Sequence, residues 1–572
     1  MNRLFTVILF FIVQTALAQQ PVFTQQDWDK LPQSAKDSLN KLYTQQFEEA
    51  KKAAANVDEE NANAIIDEAL KNVTATRILT FKAFPRTQFR DDISKFTALE
   101  EFNCLKCTQL DLYKLFEQLA SLPQLKRLSL EGGNHKKLPN TIKQLTALEE
   151  LNLKDNNINA LPDSFVLLKN LKVLNLEHNA YLYDDDVFDK LKALNVTDLN
   201  FANSGFFEIN DKIGALKSLQ VLNYSGNDIR KLPSSFTFLI NLTQLNLSRN
   251  LNLDMKAVAL SLAPLSKLAE LNLSECNITA LPVEVGNLTA LKTLNLKGNR
   301  LTVLPLTFSN LINLEYLDLG YFEMGSRMNK ITDLGPNFGN LKKLRYLNLA
   351  GNQLSNLPAG FEGLTSLEYL SLNLNKLSGF PLPITKLTQL RTLDLGLNES
   401  ASIPADIAKL TQLEVLNLDG NFFNRPEKKI KLLPDVLCQL QNLKELSLKD
   451  NVIEQLPACI HQLVNLRKLD LRDNLLSSLP GTFTQLKNLE WLDLKANEIT
   501  ELPADFYNLT NLKEFNFSMN IKMKFEIEKP KFEKMKNLTF LDLSYNNITK
   551  EKIEPLRTAL PGCTVVNWDY KK

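Results

Sequence analysis

One short phrase of apolar and polar positions recurs nineteen times between Leu99 and Asn546: apolar-x-x-leucine-x-leucine-x-x-asparagine, with few exceptions. Clear copies run from Leu148 to Asn156, Leu291 to Asn299, Leu413 to Asn421 and Leu466 to Asn474. Twelve of the eighteen spacings between first positions are 23 residues, and the other six are 25, 26 or 30. In each phrase the second leucine, the residue after it and the third leucine alternate in-out-in, the period of a strand buried on one face. Strands one repeat apart must run parallel, so they predict one continuous parallel sheet. A unit of 23 residues is too small to bury its own leucines, so units must stack, and a stack presents a long surface rather than a pocket. The asparagine turns the chain inward, where its amide can satisfy backbone groups of its own turn and of the next.

The return segments carry a second pattern. Leu-Pro recurs at Leu281-Pro282, Leu304-Pro305, Leu357-Pro358, Leu456-Pro457, Leu479-Pro480 and Leu502-Pro503. Proline cannot donate to a ladder, so this side is predicted to be irregular or short helix rather than a second sheet. Phe165, Phe236, Phe308, Phe361, Phe483 and Phe506, three residues after the proline position, should fill the core. Upstream, Thr24 to Val73 has helical spacing, with Leu39, Leu42, Phe47, Ile65, Ile66, Ala69 and Leu70, and should cover the first strand edge. Leu79 and Phe81 stand 23 residues before Phe102 and Cys104, which predicts an irregular first strand. Ile553 to Leu560 reads as a last helix and Cys563 to Val566 as a last strand.

These repeats resemble the leucine-rich repeat superfamily, and the 23-residue Leu-Pro form is similar to that of Scribble-like and Ras-group scaffolds and of bacterial exported proteins. The resemblance covers nearly all the chain after residue 75. It implies an α/β fold, a horseshoe-shaped solenoid with a concave parallel β-sheet and an N-terminal helical cap, binding proteins or other ligands on the concave face. The expected organisation is a signal peptide over 1–18, a helical cap over 19–75, repeats over 76–550 and a closing cap over 551–572. The motif specifies the fold and says little about the ligand.

Composition narrows the function by exclusion. With 66 basic and 65 acidic residues the net charge is +1, which leaves no footprint for nucleic acid or an anionic membrane. Arg3, the apolar run Leu4 to Val13 and Ala16-Leu17-Ala18 form a secretory leader with cleavage before Gln19, so the mature chain is expected to be periplasmic, secreted or at the cell surface, without membrane insertion. Sequons at Asn223, Asn246, Asn272, Asn287, Asn508 and Asn516 would crowd the sheet with sugar in a eukaryotic route, which favours a bacterial exporter.

Three histidines, His135, His178 and His461, fall on separate repeats, and no nucleophile or phosphate-loop motif is present. No enzyme, cofactor or metal site is therefore expected. Asp184-Asp185-Asp186 reads as a helix start rather than a calcium site. Cys104 stands at a leucine position, and Cys107 and Cys276 at the asparagine, as small buried thiols. The side chains of Cys104 and Cys107 are expected to diverge between strand and turn. Cys438 and Cys459 lie on the back of adjacent repeats, offset by two residues, which leaves a bridge open without favouring it.

Outward positions are the place to look for a ligand. The residue between the second and third leucines is almost always Asn, Asp or Ser, as in Asn246, Asn295, Asp318, Ser371 and Asp394, and reads as a solubilising ladder. The residue after the first position runs Lys292, Glu315, Arg345, Glu368, Arg391, Glu414, Lys444, Arg467, Glu490, Lys513, alternating in sign with one break at Lys444 and Arg467. Such neighbours should pair and leave little net field. The next position carries Tyr316, Tyr346 and Tyr369 on consecutive repeats, with Tyr321, Leu374 and Leu397 at the far edge. The two 30-residue repeats, from Leu314 and Leu413, place extra residues within Tyr321 to Lys330 and Phe422 to Ile430, bracketing the tyrosines. Exposed aromatic patches and rim loops on a rigid scaffold mark binding sites. The candidate ligand-binding residues are Tyr316, Tyr321, Tyr346, Tyr369, Leu374, Leu397, Phe422 and Phe423, for a protein ligand, with adhesion or glycan binding as the alternative.

Overall fold

A computed structural model describes residues 59–180, 182, 184–320, 328–399, 402–420 and 429–568 of the 572-residue chain. The predicted leader, most of the predicted helical cap, and Tyr321, Phe422 and Phe423 lie outside the described residues. The chain divides into two compact units, residues 1–196 and 197–572.

Among the described residues the first unit opens with helix α1 (Glu59–Leu70), whose Ile66 is fully buried. Its strands are β1 (Ile78–Lys82), β2 (Glu101–Leu105), β3 (Arg127–Ser129), β4 (Glu150–Asn152) and β5 (Val173–Asn175). Each pairs parallel with the next, as the repeat requires. The first strand is regular rather than irregular: Leu79 sits opposite Phe102 and Phe81 opposite Cys104.

The second unit continues with β6 (Asp198–Asn200), β7 (Val221–Asn223), β8 (Gln244–Asn246), β9 (Glu270–Asn272), β10 (Thr293–Asn295), β11 (Tyr316–Asp318), β12 (Tyr346–Asn348) and β13 (Tyr369–Ser371). It ends with β14 (Thr392–Asp394), β15 (Val415–Asn417), β16 (Glu445–Ser447), β17 (Lys468–Asp470), β18 (Trp491–Asp493), β19 (Glu514–Asn516), β20 (Phe540–Asp542) and β21 (Thr564–Val566). All are parallel, and the middle residue of each, leucine except for Phe515 in β19 and Val565 in β21, faces the core. Both units are thus leucine-rich-repeat solenoid, with every repeat adding one strand and one return segment.

The return segment takes two forms, and the two 30-residue repeats keep the 3₁₀ form, at Phe338–Asn340 and Asp435–Gln439. The 23-residue repeats carry a 3₁₀ turn of three or five residues, such as Asp163–Leu167 and Gly481–Gln485, with proline just before it. The 25- and 26-residue repeats carry an α-helix instead: α2 (Leu112–Leu119), α3 (Asp184–Leu191), α4 (Met255–Leu262) and α5 (Phe525–Lys534). An eight-residue α-helix spans ~12 Å and a five-residue 3₁₀ turn ~10 Å, so two or three more residues cover a similar height in the more compact form. A last helix, α6 (Lys550–Ala559), precedes β21. The Leu-Pro side makes only isolated bridges, such as Val303 to Asp333, and no second sheet among the described residues.

The ladder asparagines are buried and fully used. Asn398 Oδ1 accepts from Leu377 N, and its Nδ2 donates to the carbonyls of Leu372, Leu395 and Gly396 at 2.9–3.1 Å. Cys276, in an asparagine position, substitutes in part: its thiol donates to the carbonyls of Leu247 and Ser274.

Two cysteine expectations change. Cys104 and Cys107 form a disulfide, with Cα atoms 5.7 Å apart, instead of diverging. Lys106 takes a left-handed φ of +56°, so the chain doubles back and both sulfurs point into the core. Cys438 and Cys459 are also bonded, because the fourth residue of one 3₁₀ turn lies against the second of the next.

Candidate functional site

The outward face of each strand is built from two columns. The column nearer the strand end, exemplified by Asn246 and Asn295, does more than solubilise. Its side-chain oxygen accepts from the backbone N–H two residues on: Asn246 from Ser248, Asn295 from Lys297, Asp394 from Gly396, Asp493 from Lys495. This Asx turn closes the end of the strand. Serine makes such a turn only weakly. Where Ser447 replaces it, Asp419 on the preceding repeat accepts both the Ser447 hydroxyl and the Lys449 N–H. That compensation crosses strands and is invisible in a single repeat.

From β11 onward several of these caps are aspartates rather than asparagines, and burial raises the carboxyl pKa of Asp394 and Asp493, as it does for Asp419 two residues past the Asn417 cap. Burial pushes Asp470 up to about 6, with Asp493 and Asp419 adding repulsion and Arg472 opposing them. In the first unit, burial pushes His135 down to about 4, so its ring is neutral. His178 contacts Asp155, Nδ1 to Oδ1 at 2.9 Å, in the open. Asp184 opens helix α3, as read from the sequence.

The other column holds the tyrosines. Tyr316 is opposite Tyr346, and Tyr346 opposite Tyr369. Their rings stack face to face, with centroids 4.3 Å apart at each step and planes within 9°. All three are half-buried. Thr293, Thr392 and Val415 extend the uncharged run to six strands, bounded by Glu270 and Glu445.

The residue before the ladder asparagine is left-handed in repeat after repeat, usually as Gly, Asp, Asn or another polar residue. Leu374 and Leu397 hold that conformation at φ +54° and +58°, just after the tyrosine strand β13 and its neighbour β14. A bulky apolar side chain there is strained, and Leu374 is 39% exposed. The loop insertions are placed by their ends: Asn329 donates to Leu319 O ten residues back instead of the usual three, and Asn451 reaches Leu418 O across 33 residues instead of 26. The extra residues therefore leave the sheet where β11 and β15 end, at Gly320 and Gly420. A Cβ on Gly420 would lie 2.0 Å from the Asp450 carbonyl oxygen, which requires glycine at that exit.

The charge column pairs as its alternation predicted. Arg345 meets Glu368 at 2.7 Å, Arg391 meets Glu414 at 2.6 Å, and Lys292 meets Glu315 at 3.5 Å. Trp491, on the tyrosine column three repeats beyond Val415, is not singled out by the sequence analysis; aligning the column over every repeat would find it.

Comparisons with known proteins agree with this geometry. The family model described as leucine-rich repeat region matches residues 80–204, 336–433 and 431–562, and a second, described as leucine rich repeat, matches 266–321. A solved leucine-rich repeat protein of Leptospira interrogans is 29% identical, with 80% of this chain and 98% of that one covered and a TM-score of 0.57. The structure of a TDR receptor is 24% identical, with 89% and 86% covered and a TM-score of 0.56. No curated protein sequence matches.

Proposed function

Because the chain belongs to the leucine-rich repeat family, whose members generally act as protein-binding scaffolds, we propose that it is an exported, non-catalytic recognition protein holding a protein ligand on the sheet face between β11 and β15. In this reading the leader (1–18) is removed, caps over 19–75 and 551–572 close the stack, and Tyr316, Tyr346, Tyr369, Leu374 and Leu397 contact the ligand. Tyr321, Phe422 and Phe423 contribute from the two inserted loops.

The observation that carries the reading is the tyrosine ladder beside two strained leucines. Neither feature stabilises a repeat that its neighbours lack, and strain of this kind is retained where function needs it. The ladder also favours protein over glycan. A sugar stacks on an open aromatic face, but both faces of Tyr346 are covered by its neighbours, which leaves ring edges toward a partner. Two disulfides support export, since such bonds persist in oxidising compartments. Among the described residues no helix is long and apolar enough to cross a membrane.

The test is affinity capture from envelope extract with mass spectrometry, run beside a glycan array, for the native chain and for Tyr346→Ala and Tyr369→Ala. Loss of a specific protein in both folded variants is expected. Unchanged capture would remove the tyrosines from the site, and glycan binding lost in the same variants would favour the adhesive alternative.

A further inference from the structure

The break in the charge column creates a site of its own, on β16–β19 and apart from the tyrosine ladder. Everywhere else along the second unit's run a cation is followed by an anion. Glu414 is clamped by Arg391 and Lys444, each at 2.6 Å. Glu490 is clamped by Arg467 and Lys513, each at 3.3 Å. Two cation–anion–cation triads therefore abut, and their junction sets Lys444 beside Arg467 on adjacent strands. Lys444 leans back to its glutamate and Arg467 leans forward to its own, so the two cations part. Glu445, next to Lys444 on the same strand, is engaged by Lys468 at 3.3 Å in the neighbouring column.

The gap opens into a groove of about 550 Å³ lined by Lys444, Glu445, Arg467, Lys468, Glu490, Trp491, Lys513 and Glu514. Its one aromatic wall is the half-buried Trp491, about one and a half strands from the junction, or roughly 7 Å at the usual strand spacing. Residues i and i+2 of an extended peptide project from one face at about the same separation. Glu514 lies one strand further, roughly 12 Å from the junction, which matches residue i+4. A lone anion would use only the junction, whereas an extended peptide uses all three points.

We propose that this groove binds an extended peptide segment of a partner protein, its acidic side chain inserted between Lys444 and Arg467 to complete the alternating ladder, an apolar side chain two residues on against Trp491, and a basic side chain at the fifth position facing Glu514. The ligand carboxylate then lies between two cations, as Glu414 and Glu490 do in their own triads.

The probe is the capped pentapeptide Glu-Ser-Leu-Ser-Lys, titrated into the full-length protein while tryptophan emission is followed, with a Trp491→Phe variant to assign the signal. Saturable binding that weakens with salt is expected. The peptide with Gln in place of Glu should bind less well, and Lys444→Gln or Arg467→Gln should each weaken binding by about fivefold, the scale of an exposed ion pair. Arg467→Glu turns the junction acidic on one side and should favour a peptide with Lys first over the original. Equal binding of the Glu and Gln peptides, no effect of either cation variant, or no saturable signal in the native protein would each overturn the proposal. Full competition by acetate alone at matched ionic strength would reduce it to a simple anion site and overturn the peptide assignment. Circular dichroism of each variant separates loss of binding from loss of fold.

Discussion

Asp470 shows how one side chain serves the fold at a cost set by its surroundings. It caps the end of β17 through the Arg472 N–H, as its asparagine counterparts do elsewhere, but as a buried carboxylate facing Asp493 across the strands. Its pKa of about 6, against 3.8 ordinarily, means the folded state binds the proton more tightly than the unfolded chain. The associated stability is fully present below about 4 and is lost as pH rises through about 6. Asp470→Asn keeps the cap and removes the charge, so it should stabilise the protein by about 1–3 kcal/mol at neutral pH and by little at pH ~4. Denaturant titrations of both proteins at the two pH values check this, and an equal difference at both would refute it. Leu374 makes the complementary case. Relieving its left-handed strain with Leu374→Asn should raise stability by roughly 1 kcal/mol. If the residue contacts the ligand, the same change should weaken capture, a stability gain with a binding loss read in parallel by thermal denaturation and pull-down. The alternation of asparagine positions was legible in the sequence. Which of them are aspartates under strain from each other was legible only as letters, because the pKa depends on burial and on neighbours 23 residues away.

Within one element, the repeat, the decisive feature is the buried asparagine. Asn398→Ala would strand the Leu377 N–H and remove the donors to three carbonyls, so it should cost roughly 2–4 kcal/mol at about 1–3 kcal/mol per buried group left unmatched. Asn398→Cys should cost less, since Cys276 shows that a thiol can supply part of the donor set. A denaturant midpoint for Asn398→Cys at or below that of Asn398→Ala would contradict this. The strand columns, the proline-led return side and the two enlarged repeats could all be read from spacing, because each depends on residues within one turn of the coil. The choice between 3₁₀ turn and α-helix follows from two or three extra residues on the return side, and only the structure shows that the longer insertions of the 30-residue repeats leave the 3₁₀ turn in place.

Across the whole molecule the two disulfides join residues that sequence position alone kept apart. Peptide mapping under non-reducing conditions should recover Cys104–Cys107 and Cys438–Cys459 as linked pairs, with Cys276 and Cys563 as thiols. Cys276 is buried, and burial pushes the Cys563 thiol up to about 11, so neither should alkylate readily in the native protein at pH ~8. Replacing Cys438 and Cys459 by serine should lower stability by about 2–3 kcal/mol through the looser unfolded chain. Recovery of all six thiols reduced in protein from its natural compartment would remove the support that these bonds lend to export. The sequence by itself determined the solenoid, its strand columns and the region where the repeat is varied, since a periodic apolar pattern permits one way of burying its leucines. Tertiary structure alone decided that the tyrosines stack face to face, that Lys106 turns two cysteines together, and that Lys444 and Arg467 lean apart. Those outcomes depend on distances between strands and on which neighbour each side chain reaches, and no spacing along the chain encodes that choice.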